Sequence, residues 1–145
     1  LSDDEAREIV GQIERASGLP LLSILDVTLA EVRSRGWKKV GVVGMGDPTF
    51  YTSRLAEMGL AFETLDPALR DRVDAGVLRL MEGSEGDDSR SAAREAVAAL
   101  RERGVDGIIL GCTEIPLLLG PDAEAADLVN PAQLLAQAAV ARALE

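Results

Sequence analysis

The feature that most constrains this chain is Lys39-Val40-Gly41-Val42-Val43-Gly44, a β-branched apolar run closed by glycine and flanked on both sides by long amphipathic stretches. A strand that is apolar on both faces must be covered on both, which an antiparallel sheet with one wet face does not provide. Parallel pairing does provide it, because each crossover needs a helix and those helices then cover the sheet. The rest of the chain repeats the unit. Ser2 and Glu5 make a capping box, and Ala6, Ile9, Val10 and Ile13 recur at helical spacing up to Gly18 and Pro20. Leu21-Leu22-Ser23-Ile24-Leu25, bounded by Pro20 and Asp26, reads as a short buried strand, and a helix closed by Gly36 follows it.

Beyond Gly44 a turn through Met45-Gly46-Asp47-Pro48 leads to a predicted helix from Thr49 to Met58 and a strand from Leu60 to Leu65. Asp66-Pro67 opens a further helix, with Leu69, Val73, Val77 and Leu80 on one face, and the break at Gly83 to Gly86 ends it. A helix over Asp88 to Arg103, a strand over Val105 to Leu110, a short strand at Leu128-Val129 and a closing helix from Pro131 complete the pattern. The count is about five strands in a parallel sheet with helices on both faces.

At 145 residues the chain is the size of one domain, and with aromatics at 3% its core must be aliphatic. No linker or repeat divides it, so residues 1–145 are expected to form a single unit. A net charge of −10 with no basic stripe argues against nucleic acid. No apolar stretch reaches the roughly 20 residues of a membrane span. One cysteine cannot make an internal disulfide, and the acidic opening is not a signal peptide, so the cytoplasm is the expected compartment. The chain opens at Leu1 rather than Met, as a processed, trimmed or engineered product would. With no histidine and no second cysteine, no metal site is expected.

Cys112 follows directly on the Val105 to Leu110 strand, and ligands of parallel sheets bind beyond the carboxyl ends of the strands. A helix beginning near Thr113 would put free N–H groups and a positive dipole end beside the thiol and favour a reactive thiolate. The alternative on the same spacing is an inert cysteine packed as a small apolar residue.

The segment Gly111-Cys112-Thr113-Glu114-Ile115-Pro116-Leu117-Leu118 resembles the C-terminal cysteine motif of the aspartate/glutamate racemase superfamily. Pro20-Leu21-Leu22-Ser23-Ile24-Leu25-Asp26-Val27-Thr28 is similar to the family's entry into its second lobe, and Lys38 to Gly44, with Tyr51, Leu55 and Gly59, to the following βα unit. The resemblance covers nearly the whole chain and implies a flavodoxin-like three-layer fold equivalent to the C-terminal lobe only. It also implies cofactor-independent chemistry, in which two lobes face a cleft and a thiol from each removes and returns the α-proton of a small amino acid. On that basis Cys112 would be one acid/base, Thr113 and Thr49 would contact the substrate carboxylate, and Glu114 would tune the thiol or read the amine.

The family's first lobe carries a Cys-Asn-Thr motif, and where that should precede the first helix this chain has Ser2-Asp3-Asp4-Glu5. Two-base racemisation needs groups on opposite faces of the carbon, and a single thiol supplies one. The chain is therefore expected to pair with a second lobe, to form a homodimer, to do one-base chemistry as the family's decarboxylases do, or to be a catalytically silent domain that self-associates. Ile115, Leu117, Leu118 and Leu119 after the thiol supply the apolar surface such an association would use.

Gly44-Met45-Gly46-Asp47-Pro48-Thr49 between a strand and a helix, with Glu63 or Asp66 near the next strand end, partly matches a dinucleotide site. Thr49 stands where the third glycine belongs and Pro48 removes a phosphate-binding N–H, so a plain tight turn is the better reading. Phe50 and Tyr51 read as a core pair, and Trp37 as a surface or edge residue.

Overall fold

The computed structural model describes residues 3–144. In order the elements are α1 (Asp3–Ser17), α2 (Ile24–Ser34), β1 (Lys39–Val43), α3 (Thr49–Glu57), β2 (Ala61–Glu63), α4 (Pro67–Met81), α5 (Asp87–Glu102), β3 (Gly107–Leu110), α6 (Ile115–Leu119), a 3-10 turn (Gly120–Glu124), β4 (Leu128–Val129) and α7 (Pro131–Ala143). The strands pair in parallel throughout, in the order β2-β1-β3-β4. That order, doubling back at β1 and β3, is the flavodoxin-like arrangement. Ser2 of the expected capping box lies outside the described residues, as does the Ala6 side chain.

Alternation along each strand divides the core. Val40 and Val42 of β1 and Ile109 of β3 pack with Leu29 and Val32 of α2 and Tyr51 and Leu55 of α3. Val43, Ile108 and Leu110 point the other way, onto Val73 and Val77 of α4, Ala93, Ala96, Val97 and Leu100 of α5 and Ile115, Leu118 and Leu119 of α6. Burial on both faces is what a glycine-bounded aliphatic strand requires. At the start of the sheet the Asp106 carboxylate accepts the backbone N–H groups of Lys38 and Lys39 at 2.6 and 2.9 Å, which ties β1 to β3 before the ladder begins.

The sheet has four strands among the described residues. The departure is at Leu21–Leu25, which forms an irregular segment and the first residues of α2 instead of a strand. Capping decides it: the Ser23 hydroxyl accepts the Asp26 N–H at 3.3 Å, and the Leu21 N–H is taken by the Glu14 carboxylate at 2.9 Å. Leu25, Leu29 and Val32 then recur on one helical face against the sheet. The surface expected at Ile115, Leu117, Leu118 and Leu119 is also mostly absent. Only Leu117 is exposed, and the other three lie in the core.

Trp37 is half-buried rather than superficial. Arg35 lies over its ring at 5.2 Å, and the indole also covers Gly107, where a Cβ would clash with it. No helix among the described residues is long and apolar enough to cross a membrane.

Candidate functional site

Two loops meet at the carboxyl end of the sheet. The first leaves β1 through Gly44 and Met45 and enters α3 at Thr49, and the second leaves β3 through Gly111 into Cys112. They touch at their first residues: the Gly111 N–H donates to the Val43 carbonyl at 2.6 Å, and a Cβ on Gly44 would lie in ordinary contact, 3.7 Å, with the Gly111 carbonyl carbon. This contact brings the Met45 backbone N–H to the Cys112 sulfur, a link between residues 67 positions apart that no spacing rule announces.

Cys112 is half-buried. Its thiol donates to Oε2 of Glu114 at 2.9 Å, and the same oxygen accepts the Thr113 hydroxyl at 2.8 Å. Burial pushes the thiol pKa above its ordinary value, and the hydrogen bond to the Glu114 carboxylate adds to the rise; the backbone N–H groups of Glu114 and Met45 pull the other way without reversing it. Glu114 moves oppositely. The Cys112 and Thr113 hydrogen bonds hold its carboxyl below the usual range, so it stays ionised.

This corrects the expected thiolate. The helix after the cysteine begins only at Ile115, runs five residues and has Pro116 in its first turn, so it aims little dipole and few N–H groups at the sulfur. At neutral pH the proton rests on Cys112, which makes it a donor before it can be a base.

Cys112, Thr113 and Glu114 are thus assembled in one hydrogen-bonded group. Thr49 is on the neighbouring loop with its polar atoms engaged elsewhere: its N–H donates to Oδ1 of Asp47 at 2.9 Å and its hydroxyl donates to the same oxygen. Those bonds hold the exposed Asp47 carboxyl below its ordinary pKa. Asp47 is the residue missed from the sequence, although Asp-Pro-Thr after a strand is a usual side-chain turn signal.

The dinucleotide alternative does not fit the loop. The Gly46 N–H that a phosphate would take is bonded to the Asp74 carboxylate at 3.1 and 3.2 Å. Nor is a ribose ligand free, because Glu63 pairs with Lys39 at 3.0 Å and Asp66 with Arg103 at 2.8 Å. The aromatic pair divides: Tyr51 is buried, whereas Phe50 is 56% exposed and meets the Tyr51 ring edge-on. A groove of about 520 Å³ lies elsewhere, between α5 and the 3-10 turn, and its Arg94 and Arg101 are already paired with Asp122 and Asp127 at 3.0 and 2.6 Å.

Asn130, at the end of β4, caps α7 through Oδ1, which accepts the Ala132 and Gln133 N–H groups at 3.1 and 3.4 Å.

Residues 5–139 match the profile of the family described as Asp/Glu/Hydantoin racemase. A candidate Asp/Glu racemase from Yersinia pestis superposes with a TM-score of 0.80 at 34% identity, over 95% of this chain and 62% of that one. An aspartate racemase homologue from Pyrococcus horikoshii OT3 gives 0.75 at 22% identity, over 97% and 64%. An unliganded arylmalonate decarboxylase gives 0.53 at 18% identity, over 92% and 58%, and like the preceding structure it speaks for the fold alone. The chain spans less than two thirds of the length of each of these structures.

Proposed function

Since the chain belongs to the Asp/Glu/hydantoin racemase family, we propose that it is a racemase-type lobe in which Cys112 exchanges a proton with the α-carbon of a small amino or carboxylic acid. The observation that carries this reading is the Cys112–Glu114–Thr113 group at the carboxyl end of β3, a protonated thiol hydrogen-bonded at 2.9 Å to an ionised carboxylate. Protonation of a carbanion at the α-carbon breaks the S–H bond and leaves a thiolate, which the Met45 and Glu114 N–H groups stabilise. Removal of a proton is the reverse step. Thr113 and Thr49 would hold the substrate carboxylate, and Thr49 can do so only when it exchanges the Asp47 carboxylate for that of the substrate.

One thiol serves one face of the carbon, so the second acid/base for inversion comes from another lobe or from a second copy of this chain. No cofactor is needed in this scheme, and a reducing compartment such as the cytoplasm suits a working thiol.

The test is α-hydrogen exchange of L- and D-aspartate and L- and D-glutamate in deuterated water, followed by NMR. Cys112-dependent exchange of one enantiomer, with inversion much slower than exchange, is the expected result for the chain alone. Exchange no faster than in Cys112→Ser for all four compounds would refute it for these substrates. The competing reading is a silent domain, and the engagement of Thr49 by Asp47 favours it; the same experiment decides between them, since a silent domain gives the Cys112→Ser background throughout. Sedimentation together with short-reach thiol crosslinking tests the homodimer, in which linkage of Cys112 to its copy places both thiols at one cleft.

A further inference from the structure

The residue that joins the two loops of the site has no role in the scheme above. Tyr51 is 5% exposed, and its ring lies on the backbone of the residue before the cysteine: a Cβ on Gly111 would stand 3.0 and 3.2 Å from ring carbons Cε2 and Cδ2. The phenol end is hydrogen-bonded to Thr28 of α2, which is fully buried and whose own hydroxyl donates to the Ile24 carbonyl at 2.7 Å. Packed in the buried cluster with Leu29, Val32 and Leu55, the ring is held chiefly by its own contacts and bears on the peptide that carries Cys112. That same peptide donates to Val43 and touches Gly44, and Met45, the next residue along, sends its N–H to the sulfur.

We propose that Tyr51 is a positioning residue of the Cys112 site, its ring clamping Gly111 so that the cysteine loop stays in register with the Met45 loop. The proposal rests on the reading of Cys112 as the acid/base. Glycine at 111 gives the ring its close seat, since even a methyl there would make the ring or the loop give by a few tenths of an ångström. Phe50, edge-on to Tyr51 with a centroid separation of 5.1 Å, braces the ring from the solvent side. Without the clamp the Met45 N–H would leave the sulfur, the thiolate would lose a donor, and deprotonation would become harder.

The experiment is the pH dependence of iodoacetamide alkylation of Cys112 in the full chain, which needs no turnover. A failure of α-hydrogen exchange therefore leaves it standing, and a normal exchange rate does not rescue it. Tyr51→Leu is expected to raise the alkylation midpoint by about half to one pH unit, cutting the thiolate fraction at fixed pH about threefold to tenfold and the rate about twofold to threefold. Gly111→Ala, whose methyl meets the ring at 3.0 Å, should shift it in the same direction. Tyr51→Phe keeps the ring and must titrate as the wild type does. A merely structural tyrosine would lower stability in Tyr51→Leu and leave the midpoint alone. A wild-type midpoint in Tyr51→Leu or in Gly111→Ala, with the fold verified by circular dichroism, overturns the proposal. A displaced midpoint in Tyr51→Phe does the same, and that variant decides the matter if the other two fail to fold.

Discussion

Replacing Glu114 by Gln should make Cys112 easier to ionise. The carboxylate accepts the thiol hydrogen at 2.9 Å, so it stabilises the protonated form and repels the thiolate. A hydrogen bond to a charged group contributes about 1.5–3 kcal/mol, and at about 1.4 kcal/mol per pKa unit that corresponds to roughly one to two units. Glu114 is only half-buried, and solvent screening brings the expectation to about one unit. The sign follows from charge: the Gln carbonyl can still accept from the thiol, but it carries no negative charge to oppose deprotonation. The midpoint of the alkylation–pH profile should therefore fall by about one unit in Glu114→Gln, raising the thiolate fraction below the midpoint about tenfold. The rate rises less, about threefold, because a less basic thiolate is a weaker nucleophile. The midpoint is thus the quantity to read. An unchanged or higher midpoint would refute the reasoning, since it would mean that burial alone sets the thiol and the carboxylate is incidental.

Three further outcomes are expected. Gly107→Ala places a methyl 2.1 Å from the Trp37 ring and should cost about 3 kcal/mol or more in urea unfolding, with Trp37→Leu in the same chain recovering part of it. Asn130→Ala leaves the Ala132 and Gln133 N–H groups without their acceptor and should cost about 1 kcal/mol, read from thermal melts followed by circular dichroism. Asp127 is held below its ordinary pKa, first by the hydrogen bond from Arg101. Its stabilisation is present above the unfolded-state pKa of about 4 and is lost as pH falls through the lower folded-state value, so Arg101→Met should flatten the acid limb of stability against pH, and an unchanged limb would dismiss the pair.

How far the chain can be read without its structure depends on whether a feature is local. Lys39–Val43 is a buried parallel strand because its own residues leave no other way to cover two apolar faces, and α3, α4, α5 and α7 begin within a residue of where Thr49, Pro67, Asp88 and Pro131 put them. Cys112 at a strand's carboxyl end is equally local. Leu21–Leu25 was not legible, because strand and buried helix share the same short apolar run and the choice fell to a Ser23 cap and a Glu14 carboxylate seven residues upstream of Leu21. The protonation state of Cys112 was not legible either. It depends on burial, on which way the Glu114 side chain turns, and on a Met45 N–H that the pairing of β1 with β3 brings across the sheet. The amino-acid sequence by itself determined the α/β pattern and the chemistry available at residues 112–114, since both follow from neighbours along the chain. Only the tertiary structure decided that Asp47 holds Thr49, that Asp74 occupies the Gly46 N–H and that Tyr51 lies on Gly111: desolvation, acceptor choice and close packing are properties of groups brought together in space.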